Sequence, residues 1–162
     1  MPPEKPSGTE QRVTSRHPEM ADPPPPNAFE VRDRIRWADS DPMGIVFYGA
    51  YVRLIGVAES EMFRACELPV RALRLERGVW IPRKELHLEF HSAAELEEEV
   101  IVQSWFARIG TSAITMRFEF YRASDRAHRA SGSLTVVSVE RESMRPRPLP
   151  EDVKAILARF AG

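Results

Sequence analysis

The stretch Asp39-Ser40-Asp41-Pro42-Met43-Gly44-Ile45-Val46-Phe47-Tyr48-Gly49-Ala50-Tyr51 decides the fold. Two carboxylates, a proline and a glycine in quick succession make its first half a turn by composition. Past the turn, Tyr51, Leu54, Ile55, Ala58, Met62 and Ala65 recur at helical spacing, while Arg53, Glu59, Ser60, Glu61 and Arg64 fall elsewhere on the same helix. The pattern predicts one long helix that starts near Phe47 or Tyr48 and ends near Ala65. Gly49 and Gly56 weaken it slightly and predict close packing against a neighbouring backbone.

Outward from this helix the period changes to two. Upstream, Phe29, Val31, Ile35 and Trp37 alternate with Glu30, Arg32, Arg34 and Arg36, a half-buried strand whose apolar side is interrupted by Asp33. Downstream, residues 69–77 read as a short helix closed by Gly78. Strand follows strand after that: Leu86, Leu88 and Phe90 alternate with polar residues, and 100–106 is a mostly apolar run. Ile114, Met116, Phe118 and Phe120 alternate again, and Leu134, Val136, Val137 and Val139 close the series. Pro150 opens a terminal helix with Val153, Ile156, Leu157 and Phe160 apolar. One long helix must therefore be covered by one antiparallel sheet, an α+β arrangement, and short hairpins predict a meander after the helix.

Residues 1–28 form a different region. Eight of the fourteen prolines lie in 1–27, with few large apolar side chains, so the segment reads as a disordered tail that cannot offset its ordering entropy. That leaves 29–162 as a single domain, a length sufficient for a proper core. The net charge of -1 excludes a general nucleic-acid binder, which would be strongly basic. No window approaches the roughly 18 apolar residues of a membrane span. The single cysteine, Cys66, forms no internal disulfide, so a reducing cytoplasmic setting is expected; without an accompanying base it reads as a buried small residue rather than a nucleophile.

Chemistry concentrates where the turn meets the helix. The first N–H groups of a helix have no intrahelical acceptor and carry partial positive charge, so they suit a developing oxyanion. A carboxylate just upstream suits a base or nucleophile, and Gly44 lets the backbone approach a ligand. On spacing alone, a capping and turn-stabilising role for Asp39 and Asp41 outweighs the catalytic one. His87 and His91 have no partner at metal-ligand spacing, so no metal is expected.

The segment resembles the active-site motif of the 4-hydroxybenzoyl-CoA thioesterase family, D-x-D-x-x-G-[IV]-V-[YFW]-x-x-x-Y. The similarity continues through Glu61-Met62-Phe63-Arg64, Pro82-Arg83-Lys84, residues 108–112 and Met144-Arg145-Pro146-Arg147-Pro148-Leu149-Pro150, where it is nearest the Tol–Pal-associated short-chain acyl-CoA thioesterase branch. The resemblance implies a hotdog fold, a sheet wrapped around one long helix, assembled as a dimer or a homotetramer. It implies hydrolysis of acyl-CoA thioesters without a cofactor. Asp41 becomes the catalytic carboxylate, by direct attack or by activating water, and the Tyr48 backbone N–H polarises the carbonyl.

The same resemblance implies a substrate pocket from Gly44, Val46, Tyr51, Trp80, Ile81 and Pro82, the last three supplied by a partner subunit; ordinary core packing is an equal reading of Trp80 and Ile81. Coenzyme A carries three phosphate groups, and Arg83, Lys84, Arg108 and Arg129 are the expected contacts. Two departures stand out. Tyr48 replaces the histidine of the Tol–Pal branch, and Gly56 replaces the aspartate that reads the phenol of 4-hydroxybenzoyl substrates, which argues against a hydroxylated aryl group. Asp39 is expected to shape the turn, Glu61 to be structural or to border the pocket, and Glu59 to lie on the surface. An acyl carrier protein as substrate donor and a non-catalytic acyl-thioester binder are the alternatives.

Overall fold

A computed structural model describes residues 23–162; the sequence expectation for the tail falls mostly outside the described residues. The part that is described, 23–28, is tied to the C-terminus: the Asn27 side-chain amide donates to the carbonyls of Arg159 and Ala161. Five strands, β1 (Phe29–Arg34), β2 (Arg83–Phe90), β3 (Glu99–Ile109), β4 (Ala113–Arg122) and β5 (His128–Val137), form one antiparallel sheet. The helices are α1 (Tyr48–Ala65), α2 (Val70–Leu75) and α3 (Glu151–Leu157). This is the expected α+β hotdog architecture, with α1 laid against the inner face of the sheet.

The core follows from the two periods. On β4, Ile114, Met116, Phe118 and Phe120 share the inner face and are fully buried. On α1, Ala50, Tyr51, Leu54, Ile55, Ala58, Met62 and Phe63 are buried in the same core. Burying each large side chain contributes about 1.5–3 kcal/mol, so this layer holds the helix to the sheet.

Strand order departs from a full meander. The order is β1-β3-β4-β5-β2, so only β3, β4 and β5 run as consecutive neighbours. β1 occupies the free side of β3, pairing Phe29 with Ser104 through Arg34 with Glu99. β2 therefore crosses to the other edge and pairs with β5. β1 also ends earlier than its alternation predicts. The Asp39 carboxylate accepts the Arg36 N–H, and the chain tightens into a 3-10 turn at Trp37–Asp39, leaving Trp37 exposed. Gly56 faces open space instead of packing against a backbone, whereas a side chain at Gly49 would collide with the Phe47 ring. No described helix is long and apolar enough to cross a membrane.

Candidate active site

The loop 39–47 is a small closed hairpin. Asp41 N–H donates to the Ile45 carbonyl at 2.9 Å and Gly44 N–H to the Asp41 carbonyl at 3.0 Å. Gly44 has φ +78, a left-handed conformation that favours glycine, while space around it is open. Val46 N–H bonds the Ala94 carbonyl, and Phe47 N–H returns to the Asp39 carbonyl at 3.1 Å. The loop thus closes on Asp39 one residue before α1 begins.

Asp41 stands at the tip, part-exposed. Its Oδ1 accepts the Met43 N–H at 2.8 Å, an Asx-type turn that fixes the side chain, and its other oxygen accepts no hydrogen bond among the described residues. Helix α1 starts at Tyr48 with no side-chain cap from Phe47. The Tyr48 N–H donates to no acceptor among the described residues, so the helix start offers a free donor and the positive end of its dipole. An open carboxylate oxygen and an uncapped helix amide therefore frame the same loop.

The base of the loop is anchored by a charged residue that falls off the apolar stripe of the helix. Arg53, on α1, donates through Nε to Asp39 Oδ1 at 2.9 Å and through Nη2 to Asp39 Oδ2 at 2.5 Å. Its Nη1 reaches Asp33 Oδ2 on β1 at 2.6 Å. Burial acts to raise both carboxyls, but the Arg53 hydrogen bonds and the neighbouring amides of Arg34 and Arg36 outweigh it, and both are held below the usual aspartate value. The same contacts, Asp39 first, raise the Arg53 guanidinium. Nothing in a helix pattern names the partner of a lone arginine; only the approach of β1 and the loop to α1 does.

Beside the loop lies a hollow of about 310 Å³ lined by Ile45, Val46, Tyr51, Phe90, His91 and Ser92, with Ala93. Tyr51 packs edge-on against Phe90 and Phe120 at 5.2 Å each, and burial pushes its hydroxyl up to about 12, so it stays neutral. Val46 and Tyr51 thus share one hollow beside the loop, and Phe90 and His91 join them unforeseen. Trp80, Ile81 and Pro82 do not. They line a separate groove of about 250 Å³ with Val70, Val79 and Met144, where the guanidinium groups of Arg74 and Arg141 each lie over the Trp80 ring.

Two charge assignments need correction. Arg129 is buried and donates through Nε and Nη2 to Glu98, so it is committed inside the protein and is no phosphate contact. Glu59 is not a surface residue: it is 2% exposed and both its oxygens accept from Arg83 Nη2 at 2.7 and 2.6 Å. Glu61 pairs with Arg64 on the helix surface, a structural contact. Arg83 keeps about half of its side chain exposed, and Lys84 and Arg108 are exposed. Arg108 sits beside a bulge in β3, opposite Thr115, at the same end of the sheet as Arg83 and Lys84.

Comparison with known proteins agrees with this fold. The acyl-CoA thioester hydrolase YbgC of Escherichia coli O6:H1 is 28% identical over 127 residues, covering 78% of this chain and 91% of that protein. A thioesterase superfamily structure from Jannaschia sp. CCS1 superposes with a TM-score of 0.79 at 24% identity, over 87% of this chain and 98% of the other. The 4-hydroxybenzoyl-CoA thioesterase of Pseudomonas sp. strain CBS-3 gives a TM-score of 0.72 at 23% identity, over 80% and 98%. The family model described as the Thioesterase-like superfamily matches residues 35–157, and the chain belongs to that family.

Proposed function

We propose that this protein hydrolyses acyl-CoA thioesters, with the Asp41 carboxylate as catalyst and the Tyr48 backbone N–H as the donor to the carbonyl oxygen. The observation that carries the reading is the Asp41 oxygen without a partner among the described residues, on the loop that leads directly into an uncapped helix start. The helix amide stabilises charge developing on the carbonyl oxygen, and that charge is largest in the transition state. The carboxylate then either attacks the carbonyl, giving a mixed anhydride that water cleaves, or takes a proton from an attacking water. In both routes the carbon–sulfur bond breaks and coenzyme A leaves as a thiolate. A thiol of pKa about 8.5 leaves without a dedicated acid, so a carboxylate and a donor suffice for this ester and not for an oxygen ester.

The acyl group fits the apolar hollow at Val46, Tyr51 and Phe90, of a size for a short or medium chain or a compact ring. The phosphates of coenzyme A suit Lys84, Arg108 and the exposed part of Arg83. A second copy completes the pocket. β2 is an edge strand that leaves Leu86 and Phe90 exposed, and edge strands of this kind invite pairing. Two β2 strands paired antiparallel about a two-fold axis put the second copy's Trp80, Ile81 and Pro82, which precede its β2, beside Phe90 and His91 at the end of the first. That arrangement joins the two halves of the pocket that one chain keeps apart. A pair of such dimers makes the tetramer. An acyl-CoA substrate and a free, buried Cys66 fit a cytoplasmic location.

Thiol release measured with a chromogenic reagent across a panel of acyl-CoA substrates tests the reading. Turnover in the wild type that disappears in Asp41→Asn supports it, and full turnover in Asp41→Asn removes the catalyst. Lack of dependence on the 3′-phosphate of coenzyme A redirects the reading to a carrier-protein substrate. Leu86→Lys, which places a charge on the pairing edge, should lower both dimer content in sedimentation and turnover together.

A further inference from the structure

We propose that Arg53 is a positioning residue for thioester hydrolysis: by clamping Asp39 from α1 it fixes the Asp41 carboxylate relative to the Tyr48 amide. The inference rests on the reading of Asp41 as catalyst. Three links carry it. Asp39 is the point at which the loop leaves and returns, because its carbonyl accepts the Phe47 N–H while the chain runs from it through Ser40 to Asp41. The Asp39 carboxylate is gripped at both oxygens by the Arg53 fork, and the Arg36 N–H holds one of those oxygens as well. Arg53 itself grows from the helix that begins at Tyr48, so one guanidinium ties the loop that bears the carboxylate to the helix that bears the donor.

A bidentate clamp constrains orientation as well as distance, which a point charge cannot do. Asp33 provides an internal control. It bonds the third nitrogen of the same guanidinium but belongs to β1, outside the loop. If Arg53 acted only as a stabilising cation, loss of either carboxylate would matter in proportion to the stability lost. If it positions the loop, only the Asp39 side affects the chemical step.

The experiment compares the full chain and its variants Arg53→Lys, Arg53→Ala, Asp33→Asn and Asp41→Asn, with butyryl-CoA and benzoyl-CoA as probes, reading kcat, KM and the thermal midpoint. Arg53→Lys, which keeps the charge and loses the fork, should lower kcat about 100-fold, the scale of a misplacement near 1 Å. Its KM should stay within about threefold, because substrate binding does not depend on the clamp. Asp33→Asn should lower the thermal midpoint and keep wild-type kcat. Millimolar guanidinium should restore part of the kcat of Arg53→Ala; if that variant does not fold, Arg53→Lys decides alone. Wild-type kcat in Arg53→Lys together with an inactive Asp41→Asn overturns the positioning role and leaves the catalyst intact. Equal kcat losses in Asp33→Asn and Arg53→Lys for equal losses of thermal midpoint also overturn it. An active Asp41→Asn removes the catalyst instead, and the positioning role with it.

Discussion

At the base of the loop 39–47 Asp39 is 4% exposed and takes hydrogen bonds from Arg53 and the Arg36 amide, whereas two residues further on, at the tip, Asp41 is part-exposed with one oxygen that accepts nothing among the described residues. The two carboxylates share a sequence motif and differ in every physical respect that matters for chemistry. A carboxylate saturated by charge-assisted hydrogen bonds is a poor nucleophile and base, because its lone pairs are already committed. An open one is reactive, but only a rigid backbone keeps it aimed. On the proposed reading the anchored base keeps the exposed tip aimed, and the same residue type serves both ends.

This contrast can be broken most severely at the tip. Asp41→Asn is nearly isosteric and retains the oxygen that accepts the Met43 N–H; steady-state thiol release should fall by about 10²–10⁴-fold, while circular dichroism and the thermal midpoint stay close to wild type. At the base the effect is shared: the chemical step loses the clamp proposed above, and stability falls as well. Asp39→Asn leaves the Arg53 fork without its charged partner and should cost about 1.5–3 kcal/mol in urea unfolding, the worth of a hydrogen bond to a charged group.

Acid sharpens the same comparison. Asp33 and Asp39 have folded pKa values below the unfolded value of 3.8, so the unfolded chain binds more protons and stability rises with pH. The contribution is fully present above about pH 5 and is lost as the pH falls through the folded values. Urea midpoints of Asp33→Asn/Asp39→Asn should accordingly fall less between neutral pH and pH 3 than those of the wild type; an equal fall would assign acid unfolding to other groups. The smallest effect is expected outside the loop. Lys84→Ala or Arg108→Ala removes one exposed cation from the proposed phosphate contacts and should raise KM for acyl-CoA by about fivefold, roughly 1 kcal/mol, with kcat unchanged.

How much of this was legible in the sequence follows from how each feature is encoded. Helix α1 ends where its periodicity ends, at Ala65, and the β4 alternation of Ile114, Met116, Phe118 and Phe120 names the buried face residue by residue. The resemblance to a thioesterase motif pointed to Asp41 and Tyr48, which the structure puts on the loop 39–47 and at the first residue of α1. Glu59 and Arg129 were misjudged because hydrophobic periodicity assigns charged residues to the outside by default. A buried ion pair reverses that assignment, and its partners, Arg83 and Glu98, are 24 and 31 residues away.

The sequence by itself determined the turn, the helix it feeds, the alternating strands and the carboxylate motif, because each is written in neighbours a few residues apart, where local sterics and one amphipathic period act. The tertiary structure alone decided that β2 crosses to the far edge and that Arg53 grips Asp39 and Asp33. It alone showed that Trp80, Ile81 and Pro82 lie in a different groove from Val46 and Tyr51. These outcomes depend on which distant segments meet, and a charge or an edge strand carries no period that identifies its partner.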